Sequence, residues 1–392
     1  MPARHPYLSP LAAHTRRIGL LSTYPPKLCG LATFASALES ELRRAGHLVD
    51  VVRVDDGSDP ASAGRVVAAS LENGVPGSIR KAAAVLSRTD IAIIQHEYGI
   101  YGGTDGDEII ELLDALDVPT IVVFHTVPLH PTTHQREVLA AIGERAGRVV
   151  VMAEAARLRL VSSYPIDASK VVMIPHGASV PVASRVAFDD RRHGRPQLLT
   201  WGLLGPGKGI EHAIDAVSLL GDLRARPRYT VAGVTHPKVF AQHGDRYRRS
   251  LIERSWAAGI AGSVVFDDTY RDVAKLTQFV ASASLVVLPY DSRDQVTSGV
   301  LVDAIAAGRP VIATAFPHAI EMLSSGAGIV VRHGDPIAMA AAIRSLLSDG
   351  DLLASMAAES RRIAPSLSWA AVARQYTGLA DELVWTNEFV AI

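Results

Sequence analysis

The segment from Gln295 to Pro310 carries residue types suited to holding a phosphate group. Its sequence, QVTSGVLVDAIAAGRP, places Thr297, Ser298 and Gly299 where an apolar helical pattern begins. The first N–H groups of a helix have no partner within the helix, and the positive end of its dipole lies there. Two small hydroxyl residues and a glycine keep these groups approachable, so the segment predicts a phosphate-binding helix N-terminus.

A second turn of this kind lies upstream. The sequence WGLLGPGKG, from Trp201 to Gly209, follows an apolar strand pattern, precedes a helical one and contains one lysine, Lys208. Two glycine-rich strand-to-helix turns in one open sheet predict a site for a nucleoside diphosphate compound.

The composition of the chain limits the classes of protein to which it can belong. The chain has 392 residues, 48% of them hydrophobic, which predicts two domains of roughly 180 residues each. Its 39 basic and 40 acidic residues argue against nucleic acid as a partner. Cys29 is the only cysteine, which excludes an internal disulfide and fits a reducing compartment. No signal peptide and no apolar run of ~18 residues are visible, so we expect a soluble, cytoplasmic protein without an integral membrane segment.

Short β-rich runs alternate with longer helical patterns along the chain. This alternation predicts parallel sheets covered by helices on both faces. The strand candidates are IGLLSTY, LVDVVRV, IAIIQHE, TIVVFHT, VVVMA and KVVMIP in the first half, and QLLTWGL, RYTVAGV, SVVFDD, LVVLP, VIAT and GIVV in the second. Polar clusters follow most of these runs, at the strand ends where doubly wound sheets bind their ligands.

The polar stretch 178–196, with two prolines and no sustained period, is typical of a connector. We therefore predict an N-terminal domain over 1–180 and a second domain over 181–365. After Asp335-Pro336 the sequence shows two more helical patterns, the last from Trp369 to Trp385. We expect the segment 366–392 to pack back on the first domain, with the two domains facing across a cleft.

Taken together, these motifs resemble the retaining nucleotide-sugar glycosyltransferases of family 4, the glycosyl transferases group 1. The motifs are PPxxCGxATF after the first strand, His125 at a strand end, IPHG before the connector, WGLLGPGKG, and QVTSGVLVDAIAAGRPV. The resemblance spans nearly the whole chain and implies an α/β GT-B fold of two Rossmann-like domains. It also implies transfer of a hexose from a nucleoside-diphosphate sugar to a hydroxyl, with retention of anomeric configuration.

Three positions depart from the family pattern. Gln295 and Asp303 stand where the family has two glutamates, and Leu203 replaces an arginine. An amide still hydrogen-bonds sugar hydroxyls but carries no charge. Loss of the arginine removes a bidentate phosphate clamp and leaves Lys208 and the helix end.

The resemblance also implies roles for individual residues. Lys208 would stabilise the departing phosphate, His125 would lie beside the transferred sugar, and Gln295 would contact the sugar hydroxyls. The implied donor-binding residues are Gly30, Gly207, Val234, Tyr270, Thr297, Ser298, Gly299, Val300 and Asp303, with Asp303 on the ribose and Val234 and Tyr270 near the base. His96 and Glu97 would face the acceptor. Each of these residues could instead have a purely structural role, as a solvated lysine, a helix cap, a core histidine or an ordinary turn residue.

No metal site is evident, since the fourteen histidines are scattered and no metal-binding motif occurs. We expect no cofactor, and the resemblance implies a metal-independent reaction in which the lysine and the helix end replace a divalent cation. The TYPPxxCGxATF turn resembles that of mannosyltransferases, so GDP-mannose is the favoured donor, with a UDP-sugar second. The acceptor could be a glycan, a small sugar or a lipid, and the oligomeric state is unknown. With no obvious carboxylate nucleophile, we favour a front-face route in which a donor phosphate oxygen takes the acceptor proton.

Three other functions compete with this hypothesis. The run from Gly202 to Lys208 satisfies all but the last position of an ATPase or kinase phosphate loop, but Gly209 replaces the hydroxyl residue that would hold magnesium. The three departures are also compatible with a non-catalytic relative that binds a sugar nucleotide or glycan. An epimerase or phosphorylase on the same fold is the third alternative.

Overall fold

The computed structural model describes residues 15–27, 29–57, 66–181, 194–269 and 271–390. These residues form two parallel sheets of seven and six strands, with most strands followed by a helix. The predicted α/β class with two parallel-sheet halves is therefore confirmed.

The first sheet has the strand order β3-β2-β1-β4-β5-β6-β7. Its strands are β1 (Arg17–Ser22), β2 (Leu48–Asp55), β3 (Val67–Glu72), β4 (Ile91–His96), β5 (Thr120–Phe124), β6 (Arg148–Val151) and β7 (Val171–Met173). The accompanying helices are α1 (Gly30–Arg44), α2 (Pro76–Leu86), α3 (Glu108–Asp114), α4 (Thr133–Arg145) and α5 (Glu154–Ser163). Strand β3 was not predicted, because its sequence VAASLE is an edge strand of small and polar residues without an apolar run.

The second sheet has the order β10-β9-β8-β11-β12-β13. Its strands are β8 (Gln197–Trp201), β9 (Arg228–Ala232), β10 (Val264–Asp267), β11 (Leu285–Leu288), β12 (Val311–Thr314) and β13 (Gly328–Val331). Its helices are α6 (Ile210–Ser218), α7 (Pro237–His243), α8 (Arg246–Ala257), α9 (Val273–Ala281), α10 (Gly299–Ala306), α11 (Pro317–Leu323), α12 (Pro336–Ser348), α13 (Gly350–Leu367) and α14 (Trp369–Val390). Three helices follow Asp335, one more than the sequence pattern predicts.

The second sheet is buried on both faces, which explains its continuous apolar strands. In β8, Leu198 belongs to one core cluster and Leu199 to the other. In β11, Val287 belongs to the same cluster as Leu198, and Val286 to the same cluster as Leu199. Successive side chains of a strand point to opposite faces, so both faces need apolar residues when helices cover both.

The described residues fold as two compact units. One comprises the described residues up to Val123, with Ala141–Arg148 and the residues from Thr377 onward; the other comprises Phe124–Ala140 and Val149–Tyr376. Within the first unit, the end of α14 is fixed by a 3.0 Å ion pair between Arg16 and Asp381. The domain limits drawn from the sequence stay predictions. In the described part of the chain, none of the helices combines the length and apolarity needed to cross a bilayer.

Candidate functional site

The two turns predicted to bind phosphate emerge at the point where the second sheet reverses its strand order. Strands β8 and β11 are neighbours there, although β9 and β10 come between them in the chain. The loop after β8 contains Lys208, and the loop after β11 leads into α10. A crevice outside the carboxyl ends of such strands is the usual ligand site of a doubly wound sheet.

The loop before α6 is fastened to the end of β11. The N–H of Asp291 donates to the carbonyl oxygen of Gly207 at 3.0 Å. Gly209 has a φ of +60° and lies so close to the Pro289 carbonyl that a β-carbon would overlap it. Only glycine meets both demands, so Gly209 is required for this close approach.

The ammonium group of Lys208 is partly desolvated. It lies 4.6 Å from the centroid of the Tyr290 ring, a cation–π arrangement. Among the described residues, no carboxylate lies within ion-pair distance of it. Burial lowers the pKa of Lys208. An anion bound here would supply the missing counter-charge.

The N-terminal turn of α10 offers two backbone donors to a ligand. The Ser298 hydroxyl caps the helix by accepting the Leu301 N–H at 3.3 Å. The N–H of Ser298 donates to Nδ1 of His318 at 2.9 Å, so it is not available to a phosphate. In the part of the chain described, this leaves the N–H groups of Gly299 and Val300 as the open donors of the turn.

Tyr290 connects the lysine loop to this helix. It is 2% exposed, stacks on Phe316 with ring centroids 5.5 Å apart, and has its hydroxyl beside that of Ser298. Burial raises the pKa of Tyr290, so the phenol is neutral. Lys208 therefore contacts one side of a fixed residue whose hydroxyl lies at the α10 cap. This contact brings together the two phosphate-binding turns that the sequence predicts.

Two neutral histidines flank the same turn. His318 is 1% exposed, and burial, together with the nearby His176, lowers its pKa to about 3. Because its Nδ1 accepts the Ser298 N–H, the proton of this ring is on Nε2. His176 packs against Gly299, where an added β-carbon would come within 2.9 Å of Nε2. Burial lowers the pKa of His176 to about 4.

The remaining polar residues of this segment lie close to the turn. Asp303 is four residues after Gly299 and thus on the same face of α10. Burial raises the pKa of Asp303 to about 7. Gln295 donates its amide to the Thr297 carbonyl at 2.9 Å, which shapes the loop. The Thr297 hydroxyl is buried and makes no hydrogen bond within the described residues.

A cavity of about 440 Å³ opens at the carboxyl ends of β9 and β10. Val234, predicted near the base, is 47% exposed and lines it. Gly207, with a φ of +89°, lies in the Lys208 loop. Tyr270, the other residue predicted near the base, lies outside the described residues.

The other predicted site residues follow strands of the first sheet. His125 comes directly after β5, in the same compact unit as Lys208. Gly30 begins α1 in the other unit, where the Cys29 sulfur caps the helix by accepting the Ala32 N–H at 3.4 Å. His96, at the end of β4 and just before Glu97, is 0% exposed, and burial lowers its pKa to about 3. In this conformation its imidazole has no surface open to an acceptor.

One cluster of possible metal ligands lies beside the lysine loop. Ligand atoms of Glu211, His212 and Asp291 lie within 4.8 Å of one another. The Glu211 carboxylate already accepts the Tyr247 hydroxyl at 2.9 Å, and His212 lies 3.4 Å from Asp291. These contacts give the cluster a structural role, because Glu211 joins α6 to α8 and His212 joins α6 to the end of β11. The expected metal independence stays a prediction.

Tyr290 and His318 were not predicted as site residues from the sequence. Tyr290 lies two residues after β11, and His318 lies in the first turn of α11, which follows β12. Polar residues after adjacent strands were the signal available. His176 was noted only as part of the IPHG motif. The pairing of these residues depends on the strand order, which a single sequence does not display.

Comparison with known families gives two matches that divide the chain between them. The model described as "Glycosyltransferase Family 4" matches residues 29–180, and that described as "Glycosyl transferases group 1" matches residues 195–349. The second match contains the Lys208 loop and α10.

Among curated proteins, the chain is similar to two described as D-inositol 3-phosphate glycosyltransferase. It is 27% identical to the one from Geodermatophilus obscurus over 299 residues, which are 67% of this chain and 64% of that protein. It is 25% identical to the one from Corynebacterium kroppenstedtii over 304 residues, 70% of this chain and 64% of that protein. The chain thus spans less than two thirds of the length of these relatives.

Solved structures show the same fold at low identity. Anabaena Alr3699/HepE in complex with UDP superposes with a TM-score of 0.74 at 17% identity, over 94% of this chain and 100% of that one. Sucrose-phosphate synthase from Thermosynechococcus elongatus gives a TM-score of 0.72 at 19% identity, over 96% and 100%. The two family matches make residues 29–180 similar to glycosyltransferase family 4 and residues 195–349 similar to the glycosyl transferases group 1, and the solved structures show that the chain has the GT-B fold.

Proposed function

We propose that this protein transfers a hexose from a nucleoside-diphosphate sugar to a hydroxyl acceptor, with retention at the anomeric carbon. The observation that carries the proposal is the shared contact at Tyr290. A desolvated ammonium, with no carboxylate at ion-pair distance among the described residues, and a helix N-terminus with two open N–H groups both lie beside the buried Tyr290 ring. This is an electrostatic arrangement suited to a diphosphate.

In the proposed reaction the diphosphate is the leaving group. Charge grows on its β-phosphate as the glycosidic bond breaks, and Lys208 with the N–H groups of Gly299 and Val300 would stabilise that charge. These donors are fixed before reaction, so little reorganisation is needed at the transition state. The acceptor proton would pass to a donor phosphate oxygen on the face from which the phosphate leaves, which gives retention.

The residues beside the diphosphate would hold the rest of the donor. We assign Gln295 and His125 to the hexose, and Asp303 to the ribose hydroxyls. A carboxyl with a pKa of about 7 can accept or donate a hydrogen bond at neutral pH, so it suits a vicinal diol. Leu203 offers no charge, so Lys208 is the single cation that we assign to the phosphates.

The first-strand turn favours GDP-mannose as donor, with a UDP-sugar second. The acceptor is a glycan, a small sugar or a lipid. The names of the curated relatives add a phosphorylated cyclitol, D-inositol 3-phosphate, to the small acceptors worth testing. No metal is assigned a role in the reaction.

The test is a calorimetric screen of GDP, UDP and ADP and their sugars, followed by turnover with labelled donor and a panel of hydroxyl acceptors. We expect binding of one nucleoside diphosphate and a product whose anomeric configuration, read from its ¹H coupling constant, equals that of the donor. Binding without turnover on any acceptor would favour the non-catalytic alternative. Absence of binding by all three nucleoside diphosphates would refute the proposal, and an inverted product would refute the mechanism.

A further inference from the structure

We propose that Arg159 is a positioning residue that holds together the two loops from which the donor hexose is bound. The inference rests on the proposed function, which assigns His125 and Gln295 to the hexose. Arg159 does not itself touch the donor in this proposal; it sets the distance between the two side chains that do. None of the sequence motifs that point to a nucleotide-sugar site contains this residue.

The guanidinium group of Arg159 joins two loops through a single nitrogen. Its Nη1 donates to the carbonyl oxygen of Val127 at 2.8 Å and to that of Asp294 at 2.9 Å. Val127 is two residues after His125, and Asp294 directly precedes Gln295. All five residues belong to the same compact unit. One side chain therefore fixes the backbone beside both residues that we assign to the hexose.

The charge and the burial of Arg159 make these two contacts strong. The side chain is partly buried, and this burial lowers its pKa, but a guanidinium group stays charged in a protein. A charged donor forms shorter and stronger hydrogen bonds than a neutral one, and both distances here are below 3 Å. The side chain is therefore suited to keeping two loop backbones at a fixed separation.

Helix α5, from which this arginine projects, is fixed at both of its ends. Tyr164 follows the last residue of the helix, and its hydroxyl donates to the carbonyl oxygen of Pro128 at 2.7 Å. At the N-terminus, the N–H groups of Glu154 and Ala155 donate to the two carboxylate oxygens of Glu321 in α11, both at 2.9 Å. A carboxylate at this end also interacts favourably with the helix dipole. The arginine therefore projects from a firmly held helix.

Helix α11 holds the loop between β11 and α10 by contacts of its own. The N–H of His318 donates to the carbonyl oxygen of Gln295 at 3.4 Å, and its Nδ1 accepts the N–H of Ser298. These contacts support the phosphate-binding turn and do not involve Arg159. Loss of the arginine should therefore disturb the hexose side of the site and leave the phosphate side in place.

Replacing Arg159 by methionine removes both hydrogen bonds and keeps an unbranched side chain. The measurement is calorimetric titration with GDP and GDP-mannose, or with UDP and UDP-glucose if the donor screen selects uridine. We expect the affinity for the nucleoside diphosphate to stay within about twofold of wild type and that for the sugar nucleotide to fall at least ~5-fold. In turnover, kcat should fall ~10- to 100-fold, since a displacement of ~1 Å can cost ~100-fold in rate.

Two further variants make the result specific to this arginine. Arg159→Lys keeps the positive charge, but its shorter side chain reaches one carbonyl at a time, so it should show the same selective loss at a smaller size. It also decides the question if the methionine variant does not fold. Arg157→Met is the matched control, because Arg157 lies on the same helix and pairs within it, with Glu154, at 2.6 and 2.8 Å. This control should bind both nucleotides as wild type does.

Three results would overturn the inference: an equal loss of affinity for the nucleoside diphosphate and its sugar in an Arg159 variant, no loss of either, or the same selective loss in Arg157→Met. An equal loss is what a general loosening of the fold would produce. In each of these cases wild-type protein still binds a nucleoside diphosphate, so the proposed function survives. Failure of wild-type protein to bind any nucleoside diphosphate would instead refute the proposed function itself.

Discussion

Replacing Lys208 by methionine tests the electrostatic basis of the site. Methionine keeps an unbranched chain over the Tyr290 ring and removes only the positive charge. Unit charges ~4 Å apart at an effective dielectric constant of ~20 interact by ~4 kcal/mol. Some of this is offset by the desolvation of the phosphate, so we expect a loss of ~2–4 kcal/mol, or ~30- to 1,000-fold in Kd for the nucleoside diphosphate.

The pH dependence of binding should follow from the same group. Burial lowers the pKa of Lys208 in the free protein, and a bound diphosphate would raise it again. Binding at alkaline pH is then coupled to proton uptake, so affinity should fall as pH rises through the lowered pKa. The methionine variant should lack this dependence, as should Lys208→Arg, whose guanidinium stays charged. Calorimetry between pH 7 and about 10 measures both effects.

Lys208→Met should weaken ligand binding but should not destabilise the ligand-free protein. A desolvated cation without a carboxylate partner is a cost to folding that methionine removes, so the melting temperature should not fall and should rise modestly. Lys275→Met is the control, because this lysine is 75% exposed and pairs with Asp272 outside the site. A correctly folded Lys208→Met variant that binds the diphosphate within about threefold of wild type, a difference of under ~1 kcal/mol, would show that the Lys208 charge does not hold the phosphate.

Three further substitutions address the residues around the helix end. His318→Phe leaves a buried N–H without an acceptor and should cost ~1–3 kcal/mol of stability at pH 7. Because the folded-state pKa of His318 is about 3 against 6.5 unfolded, wild type should lose stability as pH falls below 6.5, and urea unfolding of the variant should show a shallower loss. Asp303 has a folded-state pKa of about 7 against 3.8 unfolded, so its contribution to the free energy of unfolding falls as pH rises between these values. In melting scans at pH 5 and 8, Asp303→Asn should therefore be more stable relative to wild type at pH 8 than at pH 5. The same variant should bind the donor less tightly. Gly299→Ala should displace the His176 ring and weaken calorimetric donor binding, whereas Gly350→Ala, with open space around its site, should not.

The strands of both sheets were largely predictable because most are buried on both faces and read as apolar runs. Strand β3 was not, since an edge strand needs little apolar surface. The start of α10 was predictable from Ser298, whose hydroxyl caps it as such residues usually do. The number of helices after Asp335 was not, because α12 and α13 are separated only by Asp349, which ends one and caps the other.

The residues of the two phosphate-binding turns could be predicted from the sequence, but the contacts that hold those turns in place could not. A lysine in a glycine turn and a hydroxyl residue at a helix start carry local signals. The contact between Lys208 and Tyr290 does not, because it needs β8 and β11 to be neighbours across 84 positions of chain from Trp201 to Leu285. His318 lies in the first turn of α11, which follows the next strand of the sheet, β12, and its hydrogen bond to Ser298 needs that strand order as well.

The neutrality of the groups around the helix end has a consequence for turnover. His318 and Tyr290 are buried, His176 is partly exposed, and all three are uncharged at pH 7, which leaves Lys208 as the cation that we assign to this turn. If the histidines were charged, the diphosphate product would be held more tightly than the donor, since it carries the greater negative charge after transfer. Neutral imidazoles instead fix the helix N–H groups in place by hydrogen bonding and packing. Transition-state charge is then stabilised by oriented dipoles and one ammonium, and the product can still leave.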